Sequence, residues 1–184
     1  MKNILLLLLS IVSFNAWGCY DRSLSEGENL TNCTKAAKQG IVSAQGTLGA
    51  IYYAGKGTAQ DYKLAEKWFR KAAEQGYAIS QQSLGRLYAL GHGVPKDLKE
   101  AAKWYRKAAE NGVASSQAQM AVIYVTGDGE DMDTIEGYKW AIIAAGNGHK
   151  PSVDFRDNIA KSMTMDQIVE AVARAKAWKE AHKK

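Results

Sequence analysis

The side chains that could do chemistry in this chain are few, and their spacing argues against it. His92, His149 and His182 lie far apart, and none has metal-ligand spacing to another. No Gly-x-Ser-x-Gly, His-Glu-x-x-His or Ser-x-x-Lys occurs, so the nucleophile elbow, the zinc helix and the acylating serine are all missing. Asp128, Glu130, Asp131 and Asp133 form an acidic run. A calcium loop instead needs carboxylates at alternating positions, a central Gly and a distant Glu. The Gly-x-Gly pairs 55/57, 91/93 and 127/129 look like phosphate loops only superficially, since no Lys-Ser/Thr follows and no strand precedes them. We therefore expect no catalytic residue, no metal and no cofactor.

Cys19 and Cys33 carry the remaining chemistry. Residues 1–18 read as a signal peptide: Lys2, an apolar run from Ile4 to Phe14, then Ala16-Trp17-Gly18 as a small-x-small cleavage site. The apolar run is too short for a comfortable membrane span, so no transmembrane span is expected in the mature chain. Export to an oxidising compartment favours a disulfide, and two cysteines pair in only one way. Such a bond closes a loop of about fifteen residues and contributes roughly 3 kcal/mol. Cys19 beside the cleavage point also admits a lipid anchor, which would leave Cys33 unpaired, but Trp17 suits a lipoprotein signal poorly. The bridge is the preferred reading, with a periplasmic or secreted location. Asn29-Leu30-Thr31 and Asn32-Cys33-Thr34 match the glycosylation triplet, a pattern short enough to arise by chance.

These residues must be positioned by a frame that repeats. Sliding the chain by 36 positions brings Asp61, Asp97 and Asp133 together, then Trp68, Trp104 and Trp140, then Gly76, Gly112 and Gly148. Leu48, Leu84 and Met120 coincide, as do Tyr52, Tyr88 and Tyr124. A fixed period of this length signals stacked units. Each unit reads as two helices. Ala44, Leu48, Ile51 and Tyr52 share one helical face. The first Gly of each pair closes that helix, and the Asp caps the next one, worth roughly 0.5–2 kcal/mol. Ala65, Trp68 and Ala72 share a face of the second helix, and Trp68→Ala is expected to cost roughly 3–5 kcal/mol. Lys35-Ala36-Ala37-Lys38-Gln39-Gly40 is a worn copy of Lys71-Ala72-Ala73-Glu74-Gln75-Gly76, preceded by a Ser25/Glu28 capping box. Pro151 suits a helix start, and Thr164 with Gln167 makes a second capping box.

The pattern Leu-Gly-x-x-Tyr-x-x-Gly-x-Gly, then Asp and Lys-Trp-x-x-Lys-Ala-Ala-x-x-Gly, closely resembles the Sel-one-like repeat family, relatives of the tetratricopeptide repeats. Residues 84–112 match it almost throughout and 48–76 nearly as well. In the third copy Ala121 replaces Gly and Gly137 replaces Ala. The resemblance implies an all-α fold, a right-handed α/α solenoid of antiparallel helix pairs. The expected division is a signal peptide (1–18), an N-terminal capping helix with the Cys19–Cys33 bridge (19–40), three helix-pair repeats (41–76, 77–112, 113–148) and a C-terminal capping helix pair (149–184). Ile142 and Ile143, standing where Arg106 and Lys107 stand one repeat earlier, are expected to lie under that cap. Gln45, Gln81 and Gln117 recur, and a hydrogen bond to a neighbouring backbone suits them best.

Function follows from the frame. A solenoid's concave surface binds extended or helical partners, and by resemblance the first helices line it. Exposed positions that differ between copies are the better contact candidates: Tyr53, Arg86, Leu90, Val122 and Val125, with a competing reading in which they pack between neighbouring helices. The partner is expected to be a protein, held by a non-enzymatic adaptor, regulator or immunity protein. The net charge is +5, concentrated on the second helices (Lys63, Lys67, Arg70, Lys71, Lys99, Lys103, Arg106, Lys107), which reads as a solvated face. Binding to peptidoglycan or an anionic envelope surface is the alternative. Nucleic acid is not expected, as no recognition motif is present. Some exported cysteine-rich relatives bind or hydrolyse β-lactams, but those carry cysteine pairs within their repeats and this chain's repeats carry none.

Overall fold

A computed structural model of the chain describes residues 19–183, so the leader expected over 1–18 lies outside the described residues. Among the described residues there are nine α-helices and no strand. They are α1 (Glu26–Lys38), α2 (Val42–Ala54), α3 (Tyr62–Glu74), α4 (Ala78–Leu90), α5 (Leu98–Glu110), α6 (Ala114–Thr126), α7 (Thr134–Gly146), α8 (Pro151–Ala160) and α9 (Met165–Ala181). From α1 to α8 each helix packs on the next in sequence, so the pairs α2/α3, α4/α5 and α6/α7 stack one on the next. α1 covers α2 at one end, and α8 and α9 both close on α7 at the other. The result is the all-α helix-pair solenoid that the period implies.

The helix ends are set by the residues the repeat keeps. Asp61, Asp97 and Asp133 each accept a hydrogen bond, at 2.9 Å, from the backbone N–H three residues on, satisfying an orphan donor of the second helix. Ser25/Glu28 and Thr164/Gln167 form complete capping boxes. Pro151 occupies the first turn of α8. Gly93 shows why the second glycine of each pair is needed. Its φ is +74°, and a Cβ there would stand 2.5 Å from the Tyr62 carbonyl of the preceding repeat. Gly57 and Gly129 meet Glu26 and Leu98 in the same way.

Small residues let the helices close. Ala65, Ala72, Ala102, Ala108, Ala141 and Ala144 are fully enclosed, and Leu48, Leu84 and Met120 fill the spaces between. The three tryptophans are not equivalent. Trp104 and Trp140 are buried, whereas Trp68 is only half-buried against the α1–α2 cluster. The cost expected for Trp68→Ala therefore belongs to Trp104. Ile143 is fully buried and Ile142 half-buried where α8 and α9 cover α7, and Trp178 of α9 meets Trp140 edge-on at 5.5 Å.

Polar ties fix one unit to the next. Gln45, Gln81 and Gln117 donate to the carbonyls of Ala37, Ala73 and Ala109 on the preceding unit, at 3.3, 3.2 and 3.1 Å. Each Gln carbonyl accepts in turn from Gln75, Asn111 or Asn147 at the end of its own unit. Arg70 and Arg106 donate to the hydroxyls of Tyr88 and Tyr124 on the next unit. Both guanidiniums also pair with a carboxylate, Glu66 and Glu130 respectively. They are structural ties rather than free charges on the solvated face that the sequence suggested. Burial works to lower the Arg106 guanidinium, but its bonds to Glu130 and Tyr124 outweigh that and hold it above its ordinary value.

Candidate functional site

Helical register places Ala50 of α2, Arg86 of α4 and Val122 of α6 at the same position of successive first helices, and hence on one face. On that face α2 and α4 line a cavity of about 840 Å³, with Phe69 of α3 contributing from below. The volume lies in the range of ordinary ligand and peptide clefts. Tyr53 and Arg86 both line it, and the Arg86 guanidinium carbon sits 5.2 Å from the centre of the Tyr53 ring. Such a contact is worth about 0.5–1 kcal/mol at an exposed site. Tyr53 also leans on Tyr62, 5.2 Å away, and Tyr62 stacks on His92 at 4.4 Å. This aromatic shelf fixes Tyr53, which in turn fixes where the Arg86 charge is presented.

The structure divides the candidate contact residues. Tyr53 and Arg86 come together at the cavity. Leu90 (51 % exposed) and Val122 (36 % exposed) lie outside it on α4 and α6. Val125 is half-buried: a Cβ on Gly137 would stand 2.7 Å from its Cγ2, so the side chain fills the space that glycine leaves. Val125 thus packs against α7 of its own unit, where the Gly137 of the third copy accommodates it.

One wall of the cavity escaped sequence reasoning. Tyr20, Asp21 and Arg22 line it from outside the repeats. Cys19 and Cys33 are joined by a disulfide, which ties the chain just before this strap to α1. Asn29, 1 % exposed, holds the strap a second time. It donates to the carbonyls of Asp21 and Leu24 at 2.8 and 3.2 Å and accepts from the Asp21 N–H at 2.7 Å. An asparagine so enclosed is no glycosylation acceptor. The bond between the cysteines also leaves no thiol on Cys19 for a lipid. The readable signal for the wall was the Cys19 position itself, since a bridge to α1 must lay the following residues against the first repeat.

Tyr105 of α5 lies close enough to Arg86 to feel its charge. Burial pushes the Tyr105 hydroxyl up to about 12, against the opposing pull of the Arg86 charge. Among the described residues no group of three or more His, Cys, Asp or Glu side chains could hold a metal ion, and no helix is long and apolar enough to cross a membrane.

Comparison with known proteins places this architecture. The Sel1 repeat family model matches residues 42–77, 78–113 and 114–149, together more than half of the chain. Among solved structures, a protective antigen present in uropathogenic Escherichia coli strains, displaying an SLR fold, superposes with a TM-score of 0.78 at 34 % identity over 87 % of this chain. A Sel1 repeat protein from Oxalobacter formigenes superposes with a TM-score of 0.72 at 32 % identity over 85 % of this chain. The match spans 33 % of the first of those chains and 63 % of the second. No curated protein matches. Three tandem matches, the shared fold and the repeated Asp, Trp and Gly framework lead to one conclusion: the chain belongs to the Sel1 repeat family.

Proposed function

We propose that this protein is a non-enzymatic scaffold of the periplasm that holds another protein on the face formed by α2, α4 and α6, as an adaptor, regulator or inhibitor. The Sel1 repeat fold commonly mediates protein–protein interaction. The observation that carries the reading here is the presentation of Arg86 on Tyr53 at the mouth of an 840 Å³ cavity. Leu90 and Val122 continue that face as exposed apolar side chains. The disulfide supports an oxidising compartment. The competing envelope-polymer reading loses force because Arg70 and Arg106 are spent on internal ties.

The test is site-specific photo-crosslinking in periplasmic extract from the source cells. A photoreactive side chain placed at Leu90 or Val122 should trap one protein band that the same group at Lys63, on a second helix, does not trap. Equal trapping at all three positions would remove the docking face from consideration.

A further inference from the structure

The cavity's chemistry narrows what it takes, on the premise that the α2/α4/α6 face is the docking surface. Three cations line it, Arg22, Lys56 and Arg86, against a single carboxylate, Asp21. None of the three cations forms an ion pair among the described residues. The Asp21 carboxylate is turned toward its own strap, its Oδ1 accepting from the Ser23 N–H at 2.9 Å and the Ser23 hydroxyl at 2.7 Å, and the lining keeps a positive excess. The remaining surface is mainly apolar: Tyr20, Tyr53 and Phe69 contribute rings, and alanine, isoleucine and two hydroxyl side chains complete it. Tyr20 packs on the cluster that includes Ala44, Leu48 and Ile51, so the strap is seated on the first repeat. Unpaired guanidinium and ammonium groups beside aromatic walls complement a carboxylate carried next to a ring or another apolar group.

We infer that the pocket between the Tyr20–Arg22 strap and helices α2 and α4 takes a short acidic, aromatic-bearing peptide segment of a partner protein. Arg22, Lys56 and Arg86 receive its carboxylates, and Tyr20 and Tyr53 receive its apolar side chains above the buried Phe69. Cys19–Cys33 and Asn29 hold the wall that makes the pocket, so the recognition element and the first repeat act as one body.

The probe is a fluorescein-labelled hexapeptide of alternating Glu and Phe, read by fluorescence anisotropy at low and physiological salt, beside its Gln-Phe and Lys-Phe counterparts. The Glu-Phe peptide should bind about tenfold more tightly than the Gln-Phe peptide, a difference of about 1.4 kcal/mol, and the Lys-Phe peptide should not bind. The Arg22→Gln/Lys56→Gln/Arg86→Gln variant should bind the Glu-Phe peptide only as the wild type binds the Gln-Phe peptide. Lys63→Gln/Lys99→Gln/Lys103→Gln removes the same charge from the second helices and should bind as the wild type does. All six positions are at the surface, and unchanged helical circular dichroism shows that each variant folds. Equal affinity for the Glu-Phe and Gln-Phe peptides, or equal loss in both variants, overturns the inference. Crosslinking through Leu90 and Val122 is read separately. If it succeeds while the peptide test fails, the docking face stands and only the acidic pocket falls.

Discussion

Gly85 lies beneath the ring of Tyr105, so close that a Cβ built on it would stand 3.0 Å from Cδ1. The first repeat repeats the relationship more tightly, Gly49 under Phe69 at 2.6 Å. In the third repeat the aromatic position is Ala141 and the glycine position is Ala121, and both are fully buried. The glycine is therefore kept where a ring occupies the space and is given up where it does not. Gly49→Ala should destabilise the wild type by up to about 2 kcal/mol, because overpacking (about 1–3 kcal/mol) opposes the helical gain of Ala over Gly (about 1 kcal/mol). In a Phe69→Ala background the same change should become stabilising, by about 1 kcal/mol. Urea denaturation of the four proteins of the cycle reads the sign. No change of sign would show that the ring is not what excludes the methyl.

The glutamine ties make a second prediction. Gln81 bridges Ala73 and Asn111, and it is 4 % exposed. Gln81→Leu keeps the bulk but removes both bonds; the Ala73 carbonyl still accepts from the Gly76 N–H and the Asn111 amide still donates to the Lys107 carbonyl, so the loss should be about 1 kcal/mol. Denaturation should show that loss, with Asn111→Ala costing less in the Gln81→Leu background than in the wild type. Additive losses would mean that the two amides act independently.

The frame was legible because period, caps and glycine punctuation are local signals: Asp97 and Gly91 set helix ends wherever their repeat is placed. Gln81 was legible only as a recurrence, since its partners lie on another helix and its chemistry fits several roles. The cavity divided along the same line. Arg86 and Tyr53 stood out as variable positions on a readable face. Tyr20–Arg22 did not, because a strap outside the repeats has no register to reveal where it lies. How far Val125 is exposed depends on Gly137 of the facing helix, a neighbour that the pattern of α6 alone does not reveal.

Alkaline unfolding should single out Tyr105. Its hydroxyl titrates near about 12 in the folded chain, raised first by burial, against about 10 when unfolded. The folded state therefore retains a proton that the unfolded state has released, and stability falls as pH rises through 10 to 12. Below pH 10 the contribution is fully present. The full shift corresponds to at most about 2–3 kcal/mol. Tyr105→Phe has no proton to lose, so its denaturation midpoint should fall less steeply than the wild type between pH 10 and pH 12. Parallel slopes for the two proteins would refute the assignment.

The N-terminal cap should depend on its disulfide more than the repeats do. Cys33 is fully buried, and the bond closes the strap over α1, which has repeat neighbours on only one side. Cys19→Ser/Cys33→Ser should lower global stability by roughly 3 kcal/mol on the loop-entropy estimate. The local effect is more diagnostic. In a solenoid each unit is held by its neighbours, so damage at an end spreads inward with decreasing force. Hydrogen exchange should therefore quicken most in α1, detectably in α2 and hardly at all in α6 and α7. The Asn29 side-chain oxygen still accepts from the Asp21 N–H in that variant, so the Asp21 amide should keep partial protection. Asn29→Ala added to the double Ser variant should abolish it and weaken Glu-Phe peptide binding further. Uniform loss of protection along the whole chain would instead make the bridge a determinant of the entire fold rather than of its first wall.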